Sequence, residues 1–459
     1  MIPPVIPFGE IKPALARDEA LAEANRCLAC YDAPCTRACP THIDVPSFIK
    51  KIATDNLRGS ARAILSANIL GASCARVCPT EVLCEGACVL NDLHHKPIKI
   101  GQLQRHATDW LLDKRAPLFT AGAKTTDKQV AIIGAGPSGL ACAAELARLG
   151  IKAVIFDANA RPGGLNTYGC AEYKISAPFA LREVEWLEQS GVTIKSGVTI
   201  GKDLSIPDLE RDYAAIFIGV GMGRIARLGI PGEGLAGVWD ALDLIAAIKM
   251  DRDKAKVGER VVVLGGGNTA IDAVTQSAML GAREVTLVYR RGPEEMSAYH
   301  HEQELGRQAG CRFVFLAAPK SISSDSAGKV ASITLATMKL GDAGADGRRS
   351  PVPNGGELTI PCDTVVMATG QDARKPFVSS LPGVNSDAKG RVIVDDSWRT
   401  SNPRYWAAGD CVSGGEEVVN AVADGKQAAR SIAKSFGVAV SHGTGAAGAV
   451  TEAQEVTRG

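Results

Sequence analysis

Val130-Ala131-Ile132-Ile133-Gly134-Ala135-Gly136-Pro137-Ser138-Gly139-Leu140 decides the fold, because an apolar run passes through three spaced glycines into a helix-forming stretch. The run is too short for a helix and suits a buried strand. Gly134 permits the tight turn, Gly136 lets backbone approach a pyrophosphate, and Gly139 lets helix pack on strand. Pro137 stands among these cofactor-facing positions, and the helix N-terminus offers unpaired N–H groups to phosphates. Eighteen residues past Gly139, the strand Ala153–Phe156 ends in Asp157. An acid there can accept hydrogen bonds from ribose hydroxyls. A bare structural turn would need only the glycines; strand, glycines, helix, second strand and acid in order read as a dinucleotide site.

A second such unit begins at Arg260 and reads Val261-Val262-Val263-Leu264-Gly265-Gly266-Gly267-Asn268-Thr269. Gly265, Gly267, Asn268 and Thr269 are its candidate contacts. Its next strand, Glu284–Tyr289, ends in Arg290-Arg291 rather than an acid. Guanidinium pairs with a 2′-phosphate where a carboxylate would repel it, which favours NADP. A solvated pair of strand-end charges is the bland alternative, and NAD stays open. Two sites imply two nucleotides, a flavin that stays and a nicotinamide that comes and goes. Thr364–Gly370 and Arg404–Asp410 read as returning strands of the first module, with the second inserted within it.

Ahead of both modules, eight cysteines crowd into 62 residues: Cys27, Cys30, Cys35 and Cys39, then Cys74, Cys78, Cys84 and Cys88. Eight thiols suit two four-iron clusters, each needing about four soft ligands. Pro40 and Pro79 turn the chain after Cys39 and Cys78. A disulfide framework would need an oxidising compartment, and the first residues do not read as a secretory signal. Zinc would favour paired C-x2-C units, whereas the spacings here are mixed. Spacing alone assigns Cys74 to the second cluster.

The 459 residues leave room for about three domains. Net charge is +1, which gives no pull toward nucleic acid or membrane surfaces. The most apolar stretch, residues 130–147, contains glycines, a proline and Glu145, and reads as strand, turn and helix rather than a membrane span. The five remaining cysteines are scattered and read as free thiols in a reducing cytoplasm. Helix-compatible spacing marks Ser47–Thr54, Arg58–Asn68 and Arg105–Lys114, and Thr120–Asp127 reads as a linker. The expected fold is α+α/β. A helical iron–sulfur domain (1–124) precedes a discontinuous FAD domain (125–235 and 364–436) enclosing an NAD(P)H domain (236–363). The tail 437–459 is expected to be disordered.

Arg161-Pro162-Gly163-Gly164-Leu165, Ala368-Thr369-Gly370 and Ala407-Ala408-Gly409-Asp410 resemble the fixed marks of the two-dinucleotide flavoprotein family. The resemblance implies FAD in the first module, with Gly164, Leu165, Gly370, Gly409 and Asp410 among its contacts. The family more often has Glu where Asp157 stands. The cysteine passages are more specific. Residues 27–35 (CLACYDAPC), 68–80 (NILGASCARVCPT), 97–104 (PIKIGQLQ) and 418–427 (VVNAVADGKQ) are similar to the N-terminal half of dihydropyrimidine dehydrogenases and the separate bacterial subunit corresponding to it. The small subunit of glutamate synthase is the second relative. The first resemblance implies Cys27, Cys30, Cys35 and Cys88 on one [4Fe-4S] cluster. It implies Cys39, Cys78, Cys84 and Gln104 on the other, with Cys74 a bystander.

The function so implied is electron input: NAD(P)H oxidation, FAD, two clusters, then the FMN of a partner subunit that reduces uracil or thymine. Electron input to glutamate synthase is the alternative, and a redox sensor without catalysis is a third reading. No general acid or nucleophile is needed, and none is nominated. His300 and His301 read as a solvated helix start, and Lys174 as a residue that approaches the flavin.

Overall fold

The computed structural model describes residues 9–344 and 349–440. Helices Arg17–Asn25, Val45–Ala53, Leu57–Ala67, Gly71–Val77 and Ile100–Lys114 surround the turns that carry the cysteines. Asp44 and Asn56 start two of them by accepting the N–H of Ser47 and Gly59, which satisfies donors that no helical carbonyl can reach. Val45, Phe48, Ile49 and Ile52 form one buried stripe. It packs with Ile64, Leu103 and Ala107 into a core of its own.

An irregular stretch, 116–128, leads into the first sheet. Strands β1 (Gln129–Ile133), β2 (Lys152–Asp157), β3 (Thr193–Ser196) and β4 (Ala215–Ile218) are joined there by the late strand Tyr405–Ala407, which lies outside β4. All pairings are parallel, with Val130 opposite Ala153 and Ala215. β1, β2, β4 and the late strand run largely buried rather than alternating, whereas β3, Thr-Ile-Lys-Ser at the sheet edge, is mostly exposed. The late return encloses a second parallel sheet of β5 (Val238–Asp240), β6 (Arg260–Leu264), β7 (Glu284–Tyr289) and β8 (Arg312–Phe315). β9 (Ala317–Ser324), β10 (Val330–Ala343) and β11 (Arg349–Pro361) form a separate antiparallel sheet.

One expectation fails here. The strand Thr364–Met367 does not return to the first sheet; it is β12, paired between β5 and β6 in the second. Only Tyr405–Ala407, β13, returns. A buried run such as Thr-Val-Val-Met has the same apolar pattern in either sheet, so periodicity cannot say which neighbour it joins. The chain therefore crosses back after Gly370 rather than before Thr364. In both sheets the strand that ends in the glycines is flanked on each side, by β2 and β4 or by β7 and β12. That opens a crevice at its C-terminal end.

The expected tail falls mainly on 441–459, outside the described residues; Val438 and Val440 pack against the first module's core. Among the described residues no helix is long and apolar enough to cross a membrane.

The cysteine domain meets the first dinucleotide-type module along the helix Ala177–Gln189, whose Glu183 is buried against the start of Gly71–Val77. Burial pushes the Glu183 carboxyl up to about 7, against hydrogen bonds from Ser73 and Ala72 that favour the charge. The fold thus binds a proton there that the unfolded chain releases, and that contribution fades as pH rises from about 4.5 through 7. Over that window the unfolding temperature of the wild type should fall relative to Glu183→Gln. Parallel curves would contradict it.

Candidate functional site

In the first module, a Cβ on Gly134 would stand 2.3 Å from Gly219 O, and one on Gly139 would stand 2.0 Å from Gly134 O. Those two glycines are demanded by the protein itself. At Gly136 the nearest atom would be 4.0 Å away, at Gly164 Cα. That position opens on a cleft of about 860 Å³, also lined by Pro137, Asp157, Leu165 and Asp410. Gly409 does not line the cleft; it turns the chain into Asp410 with φ +75° beside Ser138. The size and the open glycine cradle fit a dinucleotide. Asp157 is more committed than the sequence suggests. Its Oδ2 accepts from Ala135 N at 2.6 Å and its Oδ1 from Asn159 N at 2.7 Å. The acid therefore braces the glycine turn as well as facing the cleft.

The second crevice, about 630 Å³, is lined by Gly265–Gly267, Thr269, Arg290, Arg291 and residues 368–371. Gly370 thus lies in this crevice and not in the first, as the position of β12 requires. Arg291 Nε is buried without a hydrogen-bond partner among the described residues, and a buried donor of this kind calls for an acceptor. Asn268 lines the first cleft instead, and its Oδ1 accepts from Tyr299 N. Thr269 lines both crevices, so the two share a wall there.

Lys174 does line the first cleft, yet its Nζ is held by Asp272 at 2.9 Å and Glu302 at 2.7 Å. Burial opposes its charge, but the two carboxylates outweigh burial and raise its pKa. Tyr173 donates to the same Asp272 at 2.6 Å. His301 is not a fully solvated helix start: it stacks on Tyr299 and lies 3.6 Å from Glu81 of the cysteine domain. His300 is exposed. Sequence reading missed Asp272, Glu302 and Tyr173 as members of one buried cluster. The available signal was Asp272, four residues after Asn268 on the same helix.

Cys27, Cys30, Cys35 and Cys88 line one chamber, walled by Val45, Ile49, Leu90 and Ile98. Burial pushes the Cys35 thiol up to about 11 and raises Cys27 too. Soft ions would have to displace these protons, which is the usual course for thiolate ligation. Cys39, Cys74, Cys78 and Cys84 form the second group. The Cys78 thiol, within hydrogen-bonding reach of Cys74, is raised by that contact, by burial and by nearby Cys84 and Cys39. The structure therefore brings Cys74 into the second group. Gln104, buried, commits its Nε2 to Gly71 O at 2.7 Å, which leaves its oxygen as the free donor atom. Among the described residues no three His, Cys, Asp or Glu side chains converge on a point suited to one metal ion. Thiols around an apolar chamber suit a polynuclear iron–sulfur group.

Comparison with known proteins finds the same two-part organisation. Residues 5–116 match the family described as dihydropyrimidine dehydrogenase domain II, 4Fe-4S cluster, and residues 128–425 match pyridine nucleotide-disulphide oxidoreductases. The small chain of NADPH glutamate synthase from Escherichia coli (strain K12) is 38% identical over 442 residues, 93% of each chain. The NAD-dependent dihydropyrimidine dehydrogenase subunit PreT of Escherichia coli O157:H7 is 33% identical over 423 residues, covering 92% of this chain and 96% of that one. FprA of Mycobacterium tuberculosis, in complex with NADPH, has a TM-score of 0.57 at 20% identity over 68% of this chain and 85% of that one. That last likeness establishes the fold alone. The chain belongs to the pyridine nucleotide-disulphide oxidoreductases, in the branch with a dihydropyrimidine dehydrogenase-type 4Fe-4S domain, and is an NAD(P)H-dependent flavin and iron–sulfur electron-input subunit.

Proposed function

We propose that this chain oxidises NAD(P)H and feeds electrons to a partner subunit that reduces uracil or thymine to the 5,6-dihydropyrimidine. The observation that carries the reading is the joining of one open glycine cradle, a second crevice with a buried arginine donor, and two groups of four thiols. When bound, FAD and two [4Fe-4S] clusters would supply the change from a two-electron donor to single-electron delivery. The match of residues 5–116 to the dihydropyrimidine dehydrogenase cluster domain supports the pyrimidine substrate. A second reading, electron input to glutamate synthase, is favoured by the 38% identity to that enzyme's small chain.

The residues divide the work. Gly134, Gly136, Pro137, Gly164 and Leu165 would cradle FAD, with Asp157 and Asp410 in the same cleft and Gly139 holding the helix against the strand behind it. Gly265, Gly267, Thr269 and Gly370 would receive the nicotinamide dinucleotide, with Asn268 at the junction of the two clefts. Cys27, Cys30, Cys35 and Cys88 would hold one cluster, and Cys39, Cys78 and Cys84 the other. Gln104 is the proposed fourth ligand there and Cys74 its rival, because the Cys74 thiol stands beside Cys78. Cys74→Ser should leave the second cluster's electron paramagnetic resonance signal unchanged while Gln104→Leu alters it. The reverse pattern would make Cys74 the ligand.

Arg290 and Arg291 would pair with a 2′-phosphate. Each charged hydrogen bond contributes about 1.5–3 kcal/mol. With both such bonds lost, the double alanine variant should raise KM for NADPH at least about 100-fold and leave NADH within about threefold. Equal losses with both nucleotides would contradict the assignment. The partner reading is tested by gentle anaerobic purification from the source cell. An FMN-bearing partner that makes NAD(P)H oxidation depend on uracil supports it, and a glutamate-forming partner transfers the chain to the second reading.

A further inference from the structure

Phe179, Glu183 and Trp186, at steps of four and three, share one stripe of the flavin-module helix Ala177–Gln189. That stripe meets the cysteine domain. Phe179 lies 3.4 Å beneath the Arg76 guanidinium, and Trp186 Nε1 donates to Ala116 O at 3.2 Å. Between them Glu183, 2% exposed, reaches the start of the Gly71–Val77 helix. Its Oε1 accepts from Ala72 N at 2.9 Å, and its Oε2 from Ser73 N at 3.1 Å and from the Ser73 hydroxyl. On the other side of the same turn, Lys426 Nζ donates to Ser66 O at 3.1 Å and Ala67 O at 2.9 Å. Arg148 adds a bond to Ser66 O at 3.2 Å.

The turn 66–73 is thus gripped from the flavin module at both ends. Cations cover the carbonyls that finish one helix, and carboxyl oxygens accept from the N–H groups that begin the next, so acceptors and donors are matched at both helix ends. A buried carboxyl is a costly way to pack two domains, since an apolar side chain of similar size would do so without desolvation. What the carboxyl adds is a fixed geometry, because its bonds are directional.

The gripped helix is a rod about 10 Å long. Its far end leads to Val77, Cys78 and Pro79, and both Val77 and Pro79 line the flavin cleft. Gln104 on Gly71 O and the Arg76–Asp109 ion pair, at 2.8 Å, tie the same rod to the helix Ile100–Lys114. A shift at the gripped end is carried to Cys78 with little slack, because the interior is close-packed.

We propose that Glu183 is a positioning residue for electron transfer out of the flavin cleft, fixing where the Cys78 end of this helix stands against it. The proposal rests on the electron-input reading above. Each NAD(P)H gives up a hydride; its two electrons leave singly along the cysteine domain and its proton passes to water. Glu183 takes neither, and acts by holding the separation that the electrons must cross.

The test compares Glu183→Ala and Glu183→Gln in the full chain, anaerobically loaded with flavin, iron and sulfide. Glu183 lines neither nucleotide crevice, so flavin reduction by NADPH should stay within about twofold of wild type in both. The following cluster reduction should slow about tenfold or more in Glu183→Ala. It should recover in Glu183→Gln, whose amide oxygen still accepts from the turn. Hydrogen exchange supplies the second readout: the amides of Ala72 and Ser73 should exchange faster in the alanine variant and stay protected in the glutamine one. If Glu183→Ala does not fold, Ser73→Ala, which removes one donor, should show the same pattern in part.

Unchanged cluster reduction in a variant whose Ala72 and Ser73 amides have been freed would overturn the proposal. So would equal slowing of flavin and cluster reduction, the mark of a general packing residue. Failure of the electron-input reading appears separately, as no bleaching of flavin by nucleotide in the wild type. The exchange comparison then still decides whether Glu183 holds the turn.

Discussion

Replacing Cys30 by serine is expected to lower the iron of the chain from about eight atoms to about four, with sulfide falling in step. Cys30 shares one chamber with Cys27, Cys35 and Cys88. Those four positions span the domain from the first ligand run to the turn after Cys84, so a cluster there would tie distant segments together. Serine offers a harder oxygen where iron–sulfur chemistry prefers thiolate. The remaining thiols do not ionise readily on their own, since burial holds Cys35 at about 11. Losing one ligand therefore removes part of the driving force that deprotonates the others. The second group should keep its iron, because Cys39, Cys78 and Cys84 do not line that chamber. Iron and sulfide assays on anaerobically purified protein decide it, and full iron in the variant would contradict the grouping.

Gly136→Ala and Gly139→Ala should fail in opposite ways. A methyl at Gly139 would stand 2.0 Å from Gly134 O, a backbone atom held by the turn. Such overpacking costs about 1–3 kcal/mol or more, which in a domain of this size lowers Tm by several degrees. A methyl at Gly136 meets nothing closer than 4.0 Å and leaves the empty protein undisturbed. It projects, however, where backbone must approach the pyrophosphate. That variant should melt like the wild type before flavin is added and retain at least about tenfold less FAD after desalting. If both variants lost stability equally, or if Gly136→Ala kept its flavin, the cradle would be misplaced.

What could be read from the sequence was local. Gly134, Gly136 and Gly139 act within one turn, so their three separate reasons are visible in eleven residues. The cysteine groupings owed more to resemblance than to spacing, and the structure adds Cys74 to the second group at close range. Strand Thr364–Met367 reads from sequence as part of the first sheet because its neighbours, β5 and β6, are more than a hundred residues earlier, and a threonine with three apolar residues suits either buried parallel sheet. The same non-locality hid Glu183, which lies 111 residues from Ala72. It also hid the Lys174–Asp272–Glu302 cluster, whose members come from two modules. Asp157 was legible as an acid at a strand end, but its grip on Ala135 N was not, because only the folded turn brings that donor within reach.

The most direct test of the central claim is one anaerobic titration of the purified full chain with NADPH and with NADH, following flavin absorbance alongside iron, sulfide and flavin content. The account predicts about one FAD, about eight iron and about eight sulfide per chain, with flavin bleached by nucleotide. Flavin that neither nucleotide bleaches, or metal bound without sulfide, would contradict it.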